Sequence, residues 1–239
     1  MGQVIAQLRL HSSELKLNIT IFWTILVLVV IGFYSIAAIF GAVSMFVITN
    51  VPIYVFIAIT AFRLVKDDFG YSIHLGSTRN RFVLSSMMYI IAVSLLFNIF
   101  NQLLLFTISI LQGNLVGHFL TTSTWSSLLS QDTGTWSVFS NQYMSYLLNF
   151  GLDLLLSIFF GTLLYFLASL LYRFGQLAVY LALLAIILVL LIPPVHNELF
   201  DHIVLFHRGT NLTILWVVMA STILIPFLSL FTLSKASAS

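Results

Sequence analysis

The chain has no cysteine, which excludes disulfides, thiol nucleophiles and cysteine-ligated metals. Charge is scarce too. Asp, Glu, Lys and Arg make up 7% of the 239 residues, against roughly a quarter in an ordinary soluble domain. So little charge cannot keep in solution a chain that is 60% hydrophobic with a mean hydropathy of +1.10. There is no glycine-rich phosphate loop with its lysine, so ATP hydrolysis of the P-loop kind is excluded for this chain alone. Neither a nucleophile with a placed base nor a His-Glu pair at helical spacing occurs within an apolar run, which argues against an intramembrane hydrolase. The four prolines form no linker and no period of 20 to 50 residues repeats, leaving a single domain over 1–239.

What is abundant is long apolar runs. About 20 such residues cross the hydrocarbon core as a helix, and six runs qualify: Leu17 to Phe40, Ser44 to Val65, Phe82 to Gln112, Tyr143 to Tyr172, Leu177 to Ile192 and Leu212 to Ser234. They are continuously apolar rather than alternating, so the fold expected is all-α and polytopic, with six transmembrane helices rather than a barrel. Met1 to Lys16 mixes charge with Val4, Ile5, Leu8 and Leu15 at roughly helical spacing. It reads as an amphipathic helix on the membrane surface, not as a cleaved signal.

Charge placement sets the orientation. With the amino terminus inside, Arg9, Lys16, Arg63, Lys66, Arg79, Arg81, Arg173 and Lys235 are all cytoplasmic and only Arg208 is outside. Both termini then face the cytoplasm of a multi-pass protein in the cell membrane. The net charge of +2 is the topology signal and calls for no nucleic acid. The inner connections are Arg63 to Arg81 and a tight turn at Arg173 to Gln176. The outer ones are Gly113 to Gln142, with Trp125 and Trp136 as interfacial anchors, and 193–211 after Pro193-Pro194, read as an outer helical hairpin. Around that hairpin His196, Glu198, Asp201, His202 and His207 have the irregular spacing of solvated loop residues, not of a metal site. No cofactor is implied.

Two groups of residues carry the functional expectations. Asp153 is the one ionisable residue well inside a span. Counting along the helices places it near the outer boundary, level with Asn101, with Asn98, Gln102 and Asn149 as further partners for interhelical hydrogen bonds or the lining of an outward cavity. The second group is the charged inner segment. Lys66 to Phe82 reads as a short helix capped by Gly76, followed by a new N-cap at Ser77 or Thr78 that opens the third span. Phe69, Ile73 and Leu75 offer apolar knobs beside the charge, suited to a groove on a soluble partner.

The stretch Phe69-Gly70-Tyr71-Ser72-Ile73-His74-Leu75-Gly76-Ser77-Thr78-Arg79-Asn80-Arg81-Phe82 resembles the inner-loop pattern of ATP-binding-cassette (ABC) transporter permeases, specifically the small six-helix exporter-type permeases of Gram-positive bacteria. The residue-level likeness covers about fifteen positions and the layout nearly the whole chain. The resemblance implies that 66–81 is a coupling helix seated on a cytoplasmic ATPase, with Asp67, Asp68, Phe69, Ile73, Gly76, Thr78, Arg79 and Arg81 at the contact. Gly76 would end that helix and Arg79 anchor it. It further implies a permease without its own ATPase site, paired with an identical or homologous permease, exporting an amphipathic or lipophilic cargo such as an antimicrobial peptide or drug. The alternative from the residues alone is a membrane sensor or assembly factor whose inner loop docks a soluble regulator.

Overall fold

A computed structural model describes residues 17–33, 35–36, 45–115, 120–123, 142–177, 179–181, 184, 188 and 213–234. In chain order these form α1 (Leu17–Phe33), β1 (Met45–Ile48), α2 (Asn50–Arg63), a π-helical segment (Leu64–Asp68), α3 (Phe69–His74), α4 (Arg79–Leu115), β2 (Leu120–Ser123), α5 (Gln142–Phe174) and α6 (Thr213–Ser234). The long runs rich in Leu, Phe and Ile become long helices: α4 has 37 residues, α5 has 33 and α6 has 22. Within α4 and α5 the stretches Arg79–Ile108 and Asn149–Phe174 are long and apolar enough to cross a bilayer, while Leu17–Phe33 and Val218–Leu233 are shorter apolar helices. The expected amino-terminal helix at 1–16, the outer segment 193–211 with its histidines, both tryptophans of 113–142 and most of the fifth run lie outside the described residues.

The second run departs from expectation at both ends. A helix from Ser44 was anticipated, yet Met45–Ile48 is extended and pairs in parallel with Leu120–Ser123, and the helix begins at Asn50. An apolar run does not by itself distinguish strand from helix, and Phe46-Val47-Ile48 is rich in residues that favour extended backbone. Pro52 falls in the first helical turn, where its missing N–H has no partner to lose. At the other end the helix does not stop near Val65. It continues through the π-helical segment into α3, so the predicted inner loop is a prolongation of the second helix plus a turn at 75–78.

The distribution of polarity is inverted relative to a soluble bundle. Val51, Val55 and Ile59 of α2, Leu84, Met88, Ile91 and Leu95 of α4, and Ile223, Phe227 and Phe231 of α6 face outward. Asn50, Asn98, Asn101, Asp153, Ser157 and Ser169 are buried. That arrangement suits helices whose surroundings are hydrocarbon, where outward leucines are solvated and small or polar groups hold helix to helix.

α5 is the hub, packed on α2, α4 and α6. The face it buries is Asp153, Ser157, Gly161, Tyr165 and Ser169, one residue per turn. At Gly161 the neighbours come closest: a Cβ there would lie 2.8 Å from the Ile90 Cγ2 and 3.2 Å from the Ile57 Cγ2. Further along, the Ser169 and Thr232 hydroxyls lie 2.9 Å apart and link α5 to α6. α1 leans on the bundle through aromatic rings, with Phe22 4.7 Å from Phe56 and Trp23 5.5 Å from Phe97 between centroids.

Candidate functional site

The charged turn is built by backbone geometry. Gly76 has φ +83°, a conformation in which a side chain is strained. Its N–H donates to the Ile73 carbonyl at 2.9 Å and the Ser77 N–H donates to the Ser72 carbonyl at 3.0 Å. These are the paired bonds of a Schellman ending, so Gly76 closes α3. The Phe82 N–H then donates to the Thr78 carbonyl at 3.0 Å and opens α4. Gly175, at φ +79°, ends α5 in a related way, its N–H donating to the Leu171 carbonyl at 2.9 Å, and the Arg173 guanidinium lies 4.6 Å from the Phe174 ring centroid.

Side chains divide sharply across this turn. Asp67, Thr78 and Arg81 are exposed, and Asp68, Ile73 and Arg79 are half-buried. Phe69, expected as a knob for a partner, is fully buried: its ring meets Phe82 at 5.2 Å and Tyr172 at 4.8 Å, edge to face in each case. The continuous helix explains this, because carrying α2 through the π-helical segment turns Phe69 back over the ends of α4 and α5. The apolar surface that does project is Tyr71, 54% exposed, and Leu75, 65% exposed, one turn apart with His74 between them. Leu75 was expected to project and Tyr71 was missed. The Arg63 Nε lies 3.7 Å from the Asp67 Oδ2 one turn along, an exposed pair that contributes little to stability.

At the opposite end of the same helices lies the second site. The Asn101 Nδ2 donates to the Asn50 Oδ1. The Asn50 Nδ2 donates to the Tyr54 hydroxyl at 3.3 Å, and that hydroxyl donates to the Asp153 Oδ1 at 3.1 Å. The three bonds run in one direction across α4, α2 and α5 and end on the carboxylate, with Asp153 wholly buried. Bonds in series polarise one another, which favours negative charge at the terminal acceptor. Asn98, grouped in the sequence with Asn101 and Asp153, joins a neighbouring contact, its Nδ2 donating to the Ser157 Oγ at 3.0 Å and to the Ser94 carbonyl at 2.8 Å. Gln102 and Asn149 are half-buried.

Asn50 and Tyr54, which link the two predicted members, were not anticipated. One signal in the sequence could have found the α5 side: small or polar residues at Asp153, Ser157, Gly161 and Ser169, four or eight apart in an oily helix, mark a contact stripe. Nothing local marks Asn50, which sits among apolar residues at a helix start. Comparison with known protein families, curated proteins and solved structures gives no match.

Proposed function

We propose that this chain is the membrane-embedded permease subunit of an ATP-driven exporter of the ABC type, spanning the cell membrane with six helices and both termini in the cytoplasm. The observation that carries the reading is the Gly76-closed turn: a helix prolonged past its apolar stretch, presenting Tyr71, His74 and Leu75 beside Lys66, Asp67 and Arg81. A rigid, mixed apolar and charged projection at a helix end is suited to a groove on a soluble protein, and by the positive-inside rule this end faces the cytoplasm. Without a phosphate-binding loop of its own, the chain would draw its work from cytoplasmic ATPase subunits.

In this reading Asp67, Asp68, Ile73, Gly76, Thr78, Arg79 and Arg81 frame the contact, and Tyr71 and Leu75 supply its apolar centre in place of Phe69. Phe69 transmits instead. Packed between Phe82 and Tyr172, it joins α3 to the starts and ends of the long helices, so a push on the turn tilts α2, α4 and α5 together. A second permease, identical or homologous, completes the pathway, and the cargo is amphipathic or lipophilic because this bundle would desolvate an ion or sugar at high cost.

The test is copurification in mild detergent, comparing wild type with Tyr71→Ala/Leu75→Ala. Wild type should bring down an ATPase subunit and ATP hydrolysis, and the double variant should lose both while keeping its thermal stability. A stable wild type that recovers no ATPase would turn the assignment to a sensor or assembly factor docked through the same turn.

A further inference from the structure

The π-helical segment decides which side of α3 faces the bundle. At about 100° per residue, the buried Ile53, Tyr54, Ile57 and Ala61 of α2 all lie within about 60° of Asn50 around the helix. An unbroken α-helix would carry that sector on to Asp68, Tyr71 and Leu75 and would leave Phe69 and Ile73 outside it. The structure has the reverse. Phe69 is fully buried and Ile73 half-buried, while Tyr71 and Leu75 are 54% and 65% exposed. Setting α3 back by one residue, about 100°, restores agreement: Phe69 and Ile73 then continue the buried sector, and Tyr71 and Leu75 fall well outside it. A π turn bonds from i to i+5 and so holds one residue more than an α turn, and Leu64–Asp68 thereby supplies the set-back.

The sequence equips α3 for both phases. Phe69 and Ile73 are four apart, as are Tyr71 and Leu75, so each phase has an apolar pair to turn inward. In the observed phase Phe69 is held between Phe82 and Tyr172. The π-helical segment packs on α5, with Leu64 and Val65 buried and Lys66 and Asp67 exposed. The Arg63–Asp67 pair that spans its start is exposed and too weak to fix its winding.

We infer that the Leu64–Asp68 π-turn is a switch for the docking turn: returned to α-helical winding, it rotates α3 by one residue, withdraws Tyr71 and Leu75 toward the bundle and turns Phe69 and Ile73 out. A partner seated on Tyr71 and Leu75 holds the π form, and its departure frees the other. The same rotation takes Phe69 from between Phe82 and Tyr172, so docking and the aromatic contact that joins α3 to α4 and α5 are made and lost together. The partner rests on the exporter reading; the rotation does not.

Because the chain has no cysteine, an introduced thiol reports only its own position. Maleimide labelling of the detergent-purified full chain is compared for Phe69→Cys and Tyr71→Cys, each with Lys66 present and with Lys66 deleted. Deletion removes the surplus residue from the exposed side of the π-turn, so α-helical winding then gives the observed phase and no other. The thermal midpoint should stay within about 3 °C of the undeleted chain. The Tyr71→Cys thiol should react fast in both, and the Phe69→Cys thiol at least about tenfold more slowly after deletion than before it. Equal Phe69→Cys rates would show that the phase does not exchange and overturn the switch, while leaving Tyr71 and Leu75 as the docking surface. Loss of the fold on deletion, or protection of the Tyr71→Cys thiol, would overturn it as well, because the π-turn would then hold no surplus residue. Should Phe69→Cys itself fail to fold, amide hydrogen exchange over 64–69 in the unsubstituted chain decides: deletion of Lys66 should slow it at least about tenfold, and an unchanged rate overturns the switch.

Discussion

At one end of the three central helices Asn50, Tyr54, Asn101 and Asp153 are joined by directional hydrogen bonds, and at the other Phe69, Phe82 and Tyr172 meet ring to ring. Asn50 to Phe69, Phe82 to Asn101 and Asp153 to Tyr172 are each nineteen residues apart. At 1.5 Å per residue that is about 28 Å, close to the thickness of a hydrocarbon core. The same three helices are therefore tied twice, once toward each end, by opposite chemistries. The polar tie specifies partner and register, because an amide finds its mate in one alignment only, and hydrocarbon offers no competing partner. The aromatic tie fills volume beside the charged turn, where water is near and burying rings stabilises in the ordinary way.

Between the two ties Gly161 lets Ile57 and Ile90 close on α5, so a side chain there should disturb both. Gly161→Leu is expected to have the largest effect, a loss of about 3 kcal/mol or more through overpacking, seen as a fall in the unfolding midpoint of the purified protein. Phe69→Ala comes next, with a loss of about 3 kcal/mol, whereas Phe69→Leu, which keeps most of the volume, should lose about 1 kcal/mol or less in the same assay. A small difference between those two would mean that the aromatic end is not held by packing.

The polar end should respond to chemistry more than to size. Asn50→Leu, nearly equal in volume, should lose about 1–2 kcal/mol by stranding the Asn101 amide, while the Tyr54 hydroxyl keeps its bond to Asp153. Tyr54→Phe should lose about 1 kcal/mol, and in a double-mutant cycle with Asp153→Asn the coupling energy should be at least about 0.5 kcal/mol. A coupling of zero would mean that the Tyr54 to Asp153 bond makes no net contribution. The smallest effect is expected for Ser169→Ala, about 0.5 kcal/mol, because its hydroxyl also bonds the Phe166 carbonyl and its loss leaves Thr232 bonded to the Ser229 carbonyl.

Much of the helical layout could be read in advance where a local rule had no competitor. Gly76 and Gly175 end helices because a left-handed residue needs no other context, and the third, fourth and sixth apolar runs become helices within a few residues of their predicted ends. Met45–Ile48 went the other way because strand pairing with Leu120–Ser123 is a long-range choice that an apolar run does not record. Phe69 was misplaced for a related reason: beside charge it looked like surface, and only the continuity of α2 into α3 turns it inward. Asn98, Asn101 and Asp153 could be grouped by depth, but the order of their bonds could not.

By itself the sequence determined the oily composition, the positions of the long helices, the clustering of charge from Arg63 to Arg81 and the two glycine-closed turns, since each depends on residue type and neighbours within one or two turns of chain. Only the tertiary structure decided which faces of those helices meet, that Asn50 and Tyr54 carry the link from Asn101 to Asp153, and that Tyr71 rather than Phe69 projects with Leu75. Those outcomes depend on the rotation of one helix against another, and in a chain apolar on nearly every face that rotation is set by a few polar contacts and one close approach at Gly161.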